Sequence, residues 1–138
     1  MSHPLRIILI LVAGLGFVPA LAQVAISADV RDALAMGQAR VIIELRLADD
    51  FVPEGELSEL EMQAQRAAIA EGQAEVLMAL AYADTRPIRR PETLPFLALE
   101  IGPDDLQTLL DMPSRVSRIR LDGVASANRR EKLQGALQ

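Results

Sequence analysis

The stretch LPFLALEIGPDDLQTLLDMPSRVSRIRLD, Leu94 to Asp122, decides the fold class because its hydrophobic period changes twice. From Phe96 to Ile101 the chain alternates: Leu97, Leu99 and Ile101 share one face, and Phe96, Ala98 and Glu100 the other, as on a half-buried strand. Gly102 and Pro103 end that strand. Pro103 suits the first position of a helix, and Asp104 and Asp105 place carboxylates at the positive end of its dipole. Leu106, Leu109 and Leu110 then form one apolar stripe at helical spacing, until Pro113 stops the helix after Met112. Val116 to Leu121 alternates again, with Ile119 and Leu121 on one face and Arg118, Arg120 and then Asp122 on the other.

Working outward, a second unit of the same kind precedes this one. Arg40 to Leu47 reads as a strand in which Val41, Ile43, Leu45 and Leu47 alternate with Arg40, Ile42, Glu44 and Arg46, the β-branched residues favouring extension. Asp49 to Gly55 is a loop rich in breakers, and Glu56 to Ala81 is a long helix of strong formers with Met62, Ile69, Val76, Leu77 and Leu80 on one stripe. Thr85 to Arg90 reads as a strand confined to an edge, because Pro87 and Pro91 cannot donate ladder bonds. Residues 23–39 read as a linker or a short helix ending at Gly37, with a weak helical pattern at Val30, Leu34 and Ala33, and as lying outside the core. Two strand-helix-strand halves result. Only one strand face is fully apolar, so both helices should cover it; the expected fold is α+β, a ferredoxin-like β-α-β-β-α-β with a four-stranded antiparallel sheet and two helices on one face.

Composition bounds what such a domain can do. The chain has 138 residues, and its 51% hydrophobic content is raised by the apolar N-terminus. Residues 1–22 read as a secretory signal: Arg6 in the n-region, Ile7 to Val18 as the apolar core, and Ala20-Leu21-Ala22 as the cleavage site before Gln23. The apolar run is short for a membrane span. Cleavage removes Arg6, making the formal charge one unit more negative than the −5 of the whole chain, and it removes His3, the single histidine. With no Cys, His or Trp left, a Ser-His-Asp triad, a thiol nucleophile and an ordinary zinc site are excluded, so no catalytic residue, metal site or cofactor is expected. The acidic balance, without a basic patch interleaved with aromatics, argues against nucleic acid.

The combination Leu94-Pro95, Met112-Pro113, Val116, Ile119 and Asp122, together with the upstream pattern Gln65, Ile69, Gln73, Val76, Leu77 and Leu80, resembles the propeptides of subtilisin-like serine proteases and their free-standing inhibitors. The resemblance covers residues 40–122. It implies an exported inhibitor, secreted or periplasmic, of a subtilisin-like serine protease, monomeric when unbound, free of the membrane once the signal is removed, and able to assist folding of its target in trans. In that family the open sheet face sits on two protease helices. Here that face would present Glu44, Phe96, Ala98, Glu100, Arg120 and Asp122. The family often places acids near the end of the last strand, whereas this chain has Arg118 and Arg120 and keeps Asp122; Glu44 and Glu100 could substitute.

The resemblance also implies that the tail, residues 123–138, enters the substrate cleft as a product would. Val124, Ala125, Ser126, Ala127 and Asn128 would pair with the enzyme by main-chain hydrogen bonds, Asn128 lying next to the catalytic serine. Two alternatives stay open. Asn128 with Glu131 also fits the cap of a short C-terminal helix, and the whole domain could be a non-inhibitory interaction module of the cell envelope using the same face.

Overall fold

A computed structural model describes residues 22–81 and 89–123. In chain order the described elements are β1 (Ala25–Ile26), α1 (Ala28–Ala35), β2 (Ala39–Leu45), α2 (Glu59–Ala79), β3 (Phe96–Ile101), α3 (Pro103–Leu110) and β4 (Val116–Leu121), with a single 3₁₀ turn at Glu54–Glu56. The class is α+β. The sheet has the order β1-β4-β2-β3, and β2 is its spine, paired antiparallel to β3 on one side and to β4 on the other.

The alternation read from the sequence sets the two faces. Val41, Ile43 and Leu45 of β2, Leu97, Leu99 and Ile101 of β3, and Ile119 of β4 join one apolar cluster with Val76, Leu77 and Leu80 of the α2 end and Leu106 and Leu109 of α3. Burying each such aliphatic side chain stabilises the fold by about 1.5 to 3 kcal/mol relative to leaving it in water. A bulge at Glu44/Leu45 ends the regular β2–β4 ladder, so the strand stops at Leu45 rather than Leu47; beyond it the Arg46 N–H donates to the Arg115 carbonyl at 2.7 Å.

The main correction concerns the segment expected to be a linker or short helix outside the core. Residues 23–39 supply β1, α1 and the start of β2, and Val30, Ala33 and Leu34 belong to the same core cluster. Their spacing makes a short stripe that three residues suffice to bury, too little to stand out as a helical period. β1 runs parallel to β4, pairing Ala25 with Arg118 and Ile26 with Ile119, so the sheet is mixed rather than all antiparallel. The Ser27 N–H extends that edge by donating to the Ile119 carbonyl at 3.2 Å. Gly37, at φ 128, takes a backbone conformation that a side chain would strain and turns the chain from α1 into β2. Three helices, not two, therefore pack on the core face.

The expected strand Thr85–Arg90 is described only at its last two residues. Residues 85–88 lie outside the described residues, and Arg89 makes one isolated antiparallel bridge to Ala98, outside β3. Helix boundaries also shift. α2 begins at Glu59, three residues later than the composition suggested, because Ser58 and Glu61 form a reciprocal cap: the Ser58 N–H donates to Glu61 Oε2 at 2.8 Å and the Glu61 N–H donates to Ser58 Oγ at 3.4 Å. It ends at Ala79 rather than Ala81, and α3 ends at Leu110, before the Met112-Pro113 turn.

Two glutamines on the α2 stripe fix the loops at either end of the helix. Gln65 accepts from the Val52 N–H at 3.0 Å and donates to the Val52 carbonyl at 2.9 Å. Gln73, buried, donates to the carbonyls of Pro91 at 2.7 Å and Phe96 at 3.1 Å, and accepts from Arg90 Nε. A bidentate pair between Glu75 and Arg115 ties α2 to the turn before β4 and raises the Arg115 pKa above its ordinary value, chiefly through the hydrogen bond.

Candidate docking face of the sheet

The side of the sheet opposite the helices is an ordered grid of side chains. The register aligns Phe96, Glu44 and Arg118 in one row, Ala98, Ile42 and Arg120 in the next, and Glu100, Arg40 and the residue just past β4, Asp122, in the third. Asp122 is held there by its N–H, which donates to the Arg40 carbonyl at 3.0 Å. The bulge leaves Ser117 free to donate from its hydroxyl to the Glu44 carbonyl at 3.1 Å, which fixes the top of the grid.

The face is cross-linked by charge. Arg120 Nε donates to Glu44 at 3.0 Å, and Arg118 Nε stands 4.0 Å from the other oxygen of the same carboxylate. From the outer edge of β3, Arg89 passes its guanidinium 5.9 Å from the centre of the Phe96 ring and donates to Asp122 at 3.2 Å. Between that edge and Asp122 lie β3 and β2, whose Ala98 and Ile42 are buried at 0% and 6% exposure. The face is thus not bare. Its apolar centre is covered, and the accessible groups are guanidiniums and carboxylates with Phe96 half-buried among them.

Of the residues expected at a docking surface, the structure brings together Glu44, Phe96, Ala98, Glu100, Arg120 and Asp122 on one face, but it makes two of them inaccessible. Ala98 is fully buried, because Ile42 and the Arg89 segment flank it on both sides, and Asp122 is 4% exposed with its carboxylate engaged by Arg89. Glu100 is exposed and Glu44 is shared between two arginines. Arg89 was not singled out from the sequence. The available signal was Asp122 itself, since a carboxylate at a strand end that becomes buried calls for a cationic partner. The tail residues Val124, Ala125, Ser126, Ala127 and Asn128 lie outside the described residues.

Elsewhere, an open groove of about 450 Å³ lies between α2 and Arg90, and another of about 350 Å³ between α2 and the loop from Leu47 to Leu57. Among the described residues no cluster of His, Cys, Asp or Glu could hold a metal ion, and no helix is long and apolar enough to cross a membrane. Compared with protein-family models, curated protein sequences and solved structures, the chain matches none.

Proposed function

We propose that the chain is an exported, non-enzymatic, propeptide-like inhibitor of a subtilisin-like serine protease, able also to assist the folding of its target. The observation that carries this reading is the arrangement β4-β2-β3 with Arg89 bridged outside β3. Taking β2 as a first strand and the segment that bridges at Arg89 as a second supports reading the sheet as a ferredoxin-like unit with β1 and α1 added at the β4 edge. Such a unit leaves one sheet face clear of helices, and the tail follows β4 in the sequence. A pre-ordered domain that anchors the tail lowers the entropy lost when the tail settles in a cleft.

The deciding experiment adds the purified mature protein to a panel of subtilisin-like proteases. An inhibitor raises the apparent KM competitively and is not rapidly consumed; a chain that inhibits none of them fits the envelope interaction module instead. Within the inhibitor reading, deleting Ala125–Gln138 leaves the circular dichroism spectrum unchanged and weakens inhibition by orders of magnitude, since the tail supplies the main-chain pairing. Phe96→Asp weakens it in a protein that still folds, because the half-buried ring borders the accessible part of the face.

A further inference from the structure

Three features set the chemistry of this face apart from the rest of the molecule. The first is that little apolar surface remains to drive association, because Ala98 and Ile42 are already buried. The second is the sign of its charge. The chain as a whole carries −5, yet the grid holds Arg40, Arg89, Arg118 and Arg120 against Glu44, Glu100 and the buried Asp122. The third is unused donor capacity. Arg118 and Arg120 keep 60% and 47% of their side chains exposed while sharing one carboxylate, and the Arg118 contact at 4.0 Å is too long for a hydrogen bond. A guanidinium has five N–H donors in a planar fork that fits a carboxylate bidentately, so each arginine can take a further acid without giving up Glu44.

We propose that this face docks an acidic surface patch of a folded protein partner, with Arg118 and Arg120 as the two anchoring cations. The proposal rests on the inhibitor reading only in taking that partner to be a protease. Carboxylates meeting the arginines complete the charge pattern, and the acids of the 3₁₀ turn and the first turn of α2, Glu54, Glu56, Glu59 and Glu61, repel the same partner when it approaches wrongly oriented, which raises the rate of productive encounters. Nucleic acid fits less well, because Glu44 and Glu100 interleave with the arginines and would oppose a run of phosphates.

The test uses the mature chain in two arms. In the first, isotope-labelled protein is titrated with poly-L-glutamate at about 50 mM sodium chloride and its amide resonances are followed. Shifts should centre on β4 and the facing part of β2, fade at about 300 mM salt, and disappear in the Arg118→Glu/Arg120→Glu variant, whose melting temperature stays near wild type because both side chains are exposed. Should that variant unfold, Arg118→Gln/Arg120→Gln replaces it. In the second arm, inhibition constants for any protease of the panel that responds should weaken about tenfold or more over the same salt range and with the double variant. Inhibition indifferent to salt and to both variants overturns the acidic-partner inference while leaving the inhibitor reading intact; shifts on this face with no inhibited protease do the reverse. No shifts, shifts elsewhere, or a preference for a single-stranded oligonucleotide over polyglutamate overturn the inference outright.

Discussion

On the helix-covered side of the sheet, Val41 and Ile43 meet Leu97, Leu99 and Ile119 in a cluster that excludes water by shape alone, while on the other side their immediate neighbours Ile42 and Glu44 meet Ala98, Phe96 and a set of arginines. The same strands and the same register serve both sides. One side is closed by three helices whose leucines and valines need no partner atoms. The other carries charged side chains that stand partly in water, Arg89 paired with Asp122 and Arg118 and Arg120 with Glu44. A face of the first kind is permanent. A face of the second kind can be rearranged, because its cover is held by a few partly solvated ion pairs, each worth little on its own.

The largest effect is expected where the contrast is broken by removing a cover. Truncation up to Gln38 takes away β1 and α1, and with them Val30, Ala33 and Leu34, leaving the region around Ile119 and Ala39 open to solvent. With each buried aliphatic contributing about 1.5 to 3 kcal/mol against a total stability of about 5 to 15 kcal/mol, the truncated domain should lose its cooperative thermal transition. A truncated protein that melts as the full one does would return this segment to the status of a linker. Next in size is a comparison of neighbours. Ile43→Ala should cost about 3 to 4 kcal/mol in urea unfolding, whereas Ile42→Ala should cost about 2 kcal/mol or less, because Ile42 lies on the face away from the helices, where the surroundings can relax into the gap more readily than a helix-packed core can. Equal losses would mean that the second face is as rigid as the first.

How much of this the sequence displayed follows the same division. The core face was legible in β2, β3 and β4, since period-2 alternation assigns Val41, Ile43, Leu97, Leu99 and Ile119 to one side whatever the topology. For α1 a short helix was one of two readings, but its place in the core was not legible, because eight residues with three small or medium apolar side chains show too few turns to mark a buried face, and β1, with two residues, shows no period at all. The outward members of the grid were also legible by alternation, but their covering was not: the position of Arg89 depends on where a proline-flanked segment meets the sheet, and no local pattern encodes that. Gln73 illustrates the same limit, for a glutamine on an apolar stripe says that carbonyls must come to it without saying which.

A smaller effect belongs to the strap across the second face. Arg89→Ala removes one cationic partner of the buried Asp122 carboxylate and the guanidinium that stands over the Phe96 ring. Because the guanidinium is half in solvent, the loss should be only about 1 to 2 kcal/mol. Amide exchange should quicken in β3 around Ala98 more than in β2, which is locked from both sides. Uniform quickening across the sheet would show that the strap supports the whole domain.

The smallest effect sharpens the comparison from the helix side, through acid. The Glu61 carboxyl is held below the ordinary glutamate value by the hydrogen bonds it accepts from the Ser58 side chain and backbone, and Glu54 is held low by its bond from Arg66. A carboxyl whose folded-state pKa lies below its unfolded value contributes stability that is complete above the unfolded value and lost as pH falls through the folded one. Acidification below the ordinary glutamate range should therefore loosen the first turn of α2, and exchange of the Glu61 amide should rise there while that of Ile43, under the far part of the same helix, stays slow. Glu61 is exposed and Glu54 sits part-covered at the surface of the same turn, so the change should be confined to local fraying with little movement of the global transition. Ser58→Ala should produce the same fraying at neutral pH, since it removes the hydroxyl that accepts the Glu61 N–H and donates to its carboxylate. If Ser58→Ala leaves the turn protected at neutral pH while acid still frays it, the sensitivity belongs to Glu54 and Arg66 instead, and the contact that starts the helix over the core face lies in the 3₁₀ turn rather than in the cap.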